Sequence, residues 1–166
     1  MDTEDAEITK ALSLWSRYRQ VVMELLKGRY IRSFKDPKVD FSEWIVKTLL
    51  DGELAQNKSE RGFDVIDSKK RRIQVKGIAK DPVNRNGYIV TQKDLRNNPS
   101  TGATHWAFLF YEDLIPKELY LVPDEFVKGF GVKQQIKLEK LRASTCAEKI
   151  DIRRCQDRAI PSQARR

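Results

Sequence analysis

Gly62-Phe63-Asp64-Val65-Ile66-Asp67, Ser68-Lys69-Lys70-Arg71 and Arg72-Ile73-Gln74-Val75-Lys76-Gly77-Ile78 form the stretch on which the reading of this chain turns. Apolar and polar residues alternate on either side of a short basic link, so the two arms read as adjacent strands joined by a turn. With the turn centred on Lys70, Asp64 stands opposite Lys76, and Ile66 opposite Gln74. Side chains alternate across a strand, which brings Asp64, Gln74 and Lys76 out on one face and sends Ile73 and Val75 to the other. A slip of one residue would scatter the three polar groups over both faces.

Outward from this hairpin the pattern changes period. Before it, Ile8, Leu12, Trp15, Tyr18, Val22, Leu25 and Leu26 recur at helical spacing, predicting an amphipathic helix over about 5–27 that Gly28 stops. Asp40 reads as the N-cap of a second helix whose Phe41, Trp44, Ile45, Thr48 and Leu49 share a face and which Asp51-Gly52 ends. A polar loop over 56–62 leads into the hairpin.

After the hairpin, Gly87-Tyr88-Ile89-Val90 reads as a strand and Thr91–Leu95 as a short helix. Trp106–Tyr111 is apolar on both faces, as a covered central strand should be, and Leu119–Val122 follows as another strand. A short helix over 125–129 comes next, and from Val132 to Leu141 helix and strand both fit. The order predicts an α/β domain with a mixed sheet of about four to five strands flanked by helices. One domain over 1–150, with the first helix packed on it, and a basic tail over 151–166 complete the layout. The three tryptophans, Trp15, Trp44 and Trp106, fall on predicted buried faces.

The chain has 166 residues, a net charge of +8 and a pI near 9.5, which favours an anionic partner such as nucleic acid. Residues 133–166 hold ten Lys and Arg against four Asp and Glu. The acidic start and the lack of a long apolar run predict a soluble, cytoplasmic protein with no membrane segment. Cys146 and Cys155 lack zinc-ligand spacing, and the single histidine, His105, reads as a capping or packing residue.

An acid at the start of one strand and an acid-x-Lys on the next is the arrangement that metal-assisted phosphodiester hydrolysis needs, and here Gln74 stands in the place of the second acid. Oxygen ligands on neighbouring strands hold a hard cation such as Mg2+ or Mn2+ against the phosphate, and an ammonium meets negative charge nearby. Asp64 is then the anionic ligand. Gln74 offers its amide oxygen, Val75 its carbonyl, and Lys76 the ammonium.

The segments Asp40–Val46, Gly52–Ala55, Gly62–Asp67 and Arg72–Gly77 together resemble the core of small bacterial PD-(D/E)xK nuclease-like proteins of the restriction-endonuclease-like superfamily. The likeness follows the order of elements over about 10–125 and is dense only over 40–77. It implies a four-stranded mixed core and a metal-dependent DNA endonuclease, serving in restriction, defence or DNA processing, with Glu43 of the second helix joining the metal site. Gln74 departs from the pattern, which usually carries Asp or Glu there. A neutral amide is a poorer Mg2+ ligand, so a nuclease-fold DNA-binding or assembly module that does not cut is the alternative.

Structural roles stay open for the same residues: Gln74 and Lys76 as a solvated strand face, Glu43 as a first-turn acid suited to the helix dipole. Asp67 and Glu53 stand in reserve as ligands. Lys69, Lys70, Arg71 and Arg72 form a basic turn suited to a DNA backbone or simply to solvent. A duplex cutter of this size needs two sites, which predicts a homodimer.

Overall fold

The computed structural model describes residues 3–33, 37–56, 62–79, 89–90, 102–112, 115–129 and 136–153. The start of the Gly87–Val90 strand, the helix expected at Thr91–Leu95 and the tail from 154 lie outside them. The chain divides into two compact units, residues 1–41 and 42–166.

The first unit is built on α1 (Thr3–Lys27) and the start of α2 (Pro37–Leu49). Pro37 opens α2, where a missing N–H costs nothing and a fixed φ suits the helix. Asp40 is therefore not the N-cap that the sequence suggests. It lies inside the first turn, buried, and its Oδ2 accepts the N–H groups of Arg32 and Ser33, both at 2.8 Å. Val22 and Ile31 are buried, but every residue from Leu12 to Val21 is exposed. Trp15, expected in the core, is 65% exposed and touches only the ring of Tyr18 among the described aromatics, centroids 5.4 Å apart. Helical spacing reports that a face is apolar; it does not report what covers it.

The second unit holds a six-stranded mixed sheet, one strand more than expected. Its strands are β1 (Glu53–Leu54), β2 (Val65–Ile66), β3 (Arg72–Ala79), β5 (His105–Glu112), β6 (Ile115–Pro123) and β8 (Glu148–Ile150), in the order β1-β2-β3-β5-β6-β8. β4 (Ile89–Val90) and β7 (Ile136–Lys137) form a separate antiparallel pair. Only β3 and β5 run parallel; the other neighbours in the six-stranded sheet are antiparallel. The ambiguous 132–141 region resolves, from residue 136 on, into β7 followed by α4 (Leu138–Ala143), and α3 (Asp124–Lys128) follows β6 directly.

The sheet is covered on both faces. Ile78, Trp106, Phe108, Phe110, Tyr120 and Val122 project to one side and pack with Val127 of α3 and with Leu138 and Leu141 of α4. On the other side α2 meets β3 and β5: Ser42 Oγ shares a 2.8 Å hydrogen bond with Tyr111 OH. A Cβ on Gly77 would run into Ser42 Oγ, so glycine there lets the helix sit down on the strand. Trp106 is buried as expected, and its ring N–H donates to Asp124 Oδ1 at 2.8 Å. Trp44 is only half-buried. Ile152, 5% exposed, belongs to the buried set although it follows residue 150.

Candidate active site

β2 and β3 pair as an antiparallel hairpin, but the register differs from the expected one. Val65 faces Ile73 and Ile66 faces Arg72, a shift of two residues that sets Asp64 against Gln74 instead of Lys76. Lys70 takes up a left-handed conformation, φ 63°, and Asp67 closes the turn by accepting the Arg71 N–H on Oδ1 at 2.8 Å. An even shift preserves the face of every side chain, so Asp64, Gln74 and Lys76 still share one side of the hairpin.

Asp64 is 7% exposed, and its Oδ2 accepts two N–H groups: Gln74 Nε2 at 2.5 Å and the Val75 backbone at 2.8 Å. Its own backbone N–H donates to the Ile73 carbonyl at 2.9 Å. Burying a carboxylate is costly unless donors satisfy it, and these two do so from the strand that carries Lys76. In this arrangement the amide nitrogen of Gln74 faces Asp64. Its Oε1 reaches a cation at Asp64 only if the amide turns over or leaves that bond.

Lys76 is half-buried, two residues along the same face. In the parallel pairing of β3 with β5, Gln74 is in register with Trp106 and Lys76 with Phe108, both buried. The polar residues therefore border the apolar cluster, where a charge interacts more strongly than in open water. Glu43 is 1% exposed and follows Ser42, the residue that meets Gly77 directly after Lys76 in β3. Asp64, Gln74 and Val75 are brought together by hydrogen bonds; Glu43 belongs to α2, which packs on the Gly77 and Tyr111 face of the sheet, opposite to the face on which Gln74 and Lys76 stand.

Three other expectations change. Asp67, kept in reserve as a ligand, is committed to Arg71, whose Nε donates to its Oδ2 at 2.6 Å. Arg71 also reaches Glu148 at 3.3 Å, which takes it out of the group of basic residues open to a phosphate backbone. Lys69, Lys70 and Arg72 remain exposed there. Glu53 is exposed on edge strand β1, opposite Ile66.

His105 begins β5, with Nδ1 3.0 Å from Thr104 Oγ1. Burial, and then the nearby Arg71 guanidinium, lower its pKa from 6.5, so the ring is neutral at pH 7. Its position supports the packing role. The buried acid Asp124 was not singled out from the sequence; the signal available was its place as the first acid after Pro123, at the mouth of a helix.

Gln74 Oε1, the Val75 carbonyl and the Asp64 and Glu43 carboxylates are hard oxygen donors, the type Mg2+ and Mn2+ prefer. Among the described residues there is no group of three or more His, Cys, Asp or Glu able to hold a metal ion, so such a site would lean on the amide, the backbone and water. No helix among them is long and apolar enough to cross a membrane. No protein-family model matches the chain, and no curated protein matches it.

Proposed function

We propose that the chain is a metal-dependent DNA endonuclease of the PD-(D/E)xK type, with a restriction-endonuclease-like core and its site at Asp64, Gln74, Val75 and Lys76. The observation that carries the reading is the buried Asp64 carboxylate bound to Gln74 and Val75 on the neighbouring strand, with Lys76 on the same face. A solvated strand face does not need a buried acid at its edge. The net charge of +8 and the exposed Lys69 and Lys70 suit a phosphate backbone.

When bound, Mg2+ or Mn2+ supplies Lewis-acid polarisation of the phosphate and activation of water. The chain's own contribution is positional. Asp64 and the Val75 carbonyl fix ligand oxygens on two strands, Gln74 holds the Asp64 carboxylate, and the Lys76 ammonium is set to meet the negative charge that develops on the phosphate.

One observation favours a second reading, a nuclease-fold module that binds DNA without cutting it: the Gln74 amide nitrogen donates to the Asp64 oxygen that a divalent cation would need. Incubating supercoiled, linear and branched DNA with the protein in Mg2+ or Mn2+, beside EDTA, Asp64→Asn and Lys76→Ala, separates the two. Metal-dependent cutting lost in both variants supports the nuclease. Salt-sensitive binding of all substrates with no cutting in either metal replaces it with the module.

A further inference from the structure

A cavity lies at the far edge of the six-stranded sheet. Where β8 ends beside the first residues of β6, Lys117, Lys149, Ile150, Asp151, Ile152 and Arg153 line a space of about 380 Å3. Ile152 is buried and pins the segment to the core, while Lys117, Lys149 and Arg153 are exposed. Three cations against the Asp151 carboxylate give the lining a net charge of +2.

Two of the cations are held in place. Lys149 Nζ stands 5.8 Å from the centre of the Tyr120 ring and 3.3 Å from Glu118. Glu118 is bound first by Arg142 and accepts the Tyr120 O–H at 2.6 Å, so its charge is answered without Lys149. Asp151 fixes the Arg153 guanidinium through Nε at 3.0 Å and Nη2 at 2.7 Å. Fixed cations in surplus around an open cavity suit an anion with several acceptor oxygens, and a phosphate group supplies them.

Placement indicates which phosphate. Lys76 is in register with Phe108, Phe108 with Tyr120, and Tyr120 with Lys149. The two lysines therefore stand on one rung and one face of the sheet, three strand spacings or about 14 Å apart. A compact phosphorylated ligand reaches one of them. A DNA backbone, with a phosphate for about every 3.4 Å of each strand, reaches both.

We propose that this cavity is a second backbone-phosphate site for the DNA engaged at Lys76, an inference that rests on the DNA reading of that site. The separation exceeds the screening length of about 8 Å at physiological salt, so the two places act as separate contacts whose effects add.

The experiment is DNA binding by the full chain in EDTA across a salt titration, beside cutting in Mg2+ or Mn2+. Lys117→Gln, Lys149→Gln and Arg153→Gln together should lower the salt slope by about two and the affinity on the order of tenfold at physiological salt, with unchanged circular dichroism. Removing three charges from α1 instead, by Lys10→Gln, Arg17→Gln and Arg19→Gln, should leave the slope as it was. Asp151→Asn should raise it by about one, and Lys76→Ala added to the cavity variant should lower it by about one more. An unchanged slope in the cavity variant, or an equal loss in the α1 variant, overturns the proposal, and the nuclease reading survives if the wild type still cuts. A slope lost with the cavity charges in a protein that cuts nothing keeps the site and removes the nuclease. A wild type that binds no DNA overturns both, and flotation with anionic vesicles that depends on the same three residues then assigns the cavity to lipid headgroups.

Discussion

Replacing Gln74 by Glu puts the candidate site under its sharpest strain. The residue that donates to Asp64 Oδ2 at 2.5 Å becomes a second carboxylate. A charge-assisted hydrogen bond worth about 1.5–3 kcal/mol is lost. Two carboxylates roughly 4 Å apart repel by about 4 kcal/mol at an effective dielectric near 20. The terms do not add in full, because the pair relieves its repulsion by retaining a proton. A net loss of ~3 kcal/mol near neutral pH follows, which for a chain of this size lowers Tm by about 10 °C. The shared proton raises the folded-state carboxyl pKa above its unfolded value. The deficit is therefore small below about pH 4 and grows as pH rises. Thermal unfolding in EDTA and in Mg2+ or Mn2+ reads the effect. A second carboxylate strengthens the hard-oxygen donor set, and metal at a hundredfold excess over its dissociation constant returns about 2.7 kcal/mol. A Gln74→Glu variant as stable in EDTA as the wild type, or a divalent metal that raises the Tm of the variant no more than that of the wild type, would refute this balance of terms.

Two further outcomes test other parts of the structure. Glu118 is bound first by Arg142, then by Tyr120 and Lys149, and its pKa falls from 4.5 to about 2. Its stabilisation, about 1 kcal/mol after solvent screening, is present above pH 4.5 and lost as pH falls through 2. In urea titrations the wild type should exceed Glu118→Gln at pH 7 and converge with it by pH 2; a gap that does not change with pH counts against the assignment. Lys69→Ala and Lys70→Ala should each weaken DNA binding evenly across sequences, lowering the salt slope by about one without altering stability. Arg71→Ala should instead destabilise the fold by about 2 kcal/mol, because Asp67 is left buried without its cation. Equal effects on binding and none on stability for all three refute that division.

In the hairpin, alternation and register carry different information. Alternation in 63–67 and 72–78 was enough to put Asp64, Gln74 and Lys76 on one side, since any even register gives that answer. It did not fix which residue faces which. That depended on the turn, where Lys70 adopts a left-handed conformation and Asp67 is bound by Arg71. β1 and β8 carry no local signature because Glu53-Leu54 is two residues long and Glu148-Lys149-Ile150 lacks alternation; β1 exists by pairing with the equally short β2 and β8 by pairing with the longer β6. The burial of Glu43 was equally invisible, because a carboxylate one residue after Ser42 has no local signature of depth.

Composition and periodicity by themselves determined the class of the molecule: an amphipathic first helix, a helix before a hairpin, a covered apolar strand at 106–111 and a basic overall charge. These follow from local patterns repeated over many residues. Tertiary structure decided the rest: the pairing of Asp64 with Gln74, the commitment of Arg71 to Asp67 and Glu148, and the exposure of Trp15. The first follows from the register of the hairpin, the Asp67 contact from its turn and the Glu148 contact from a strand 77 residues away, and hydrophobic spacing carries the face of a residue but not the identity of its neighbour.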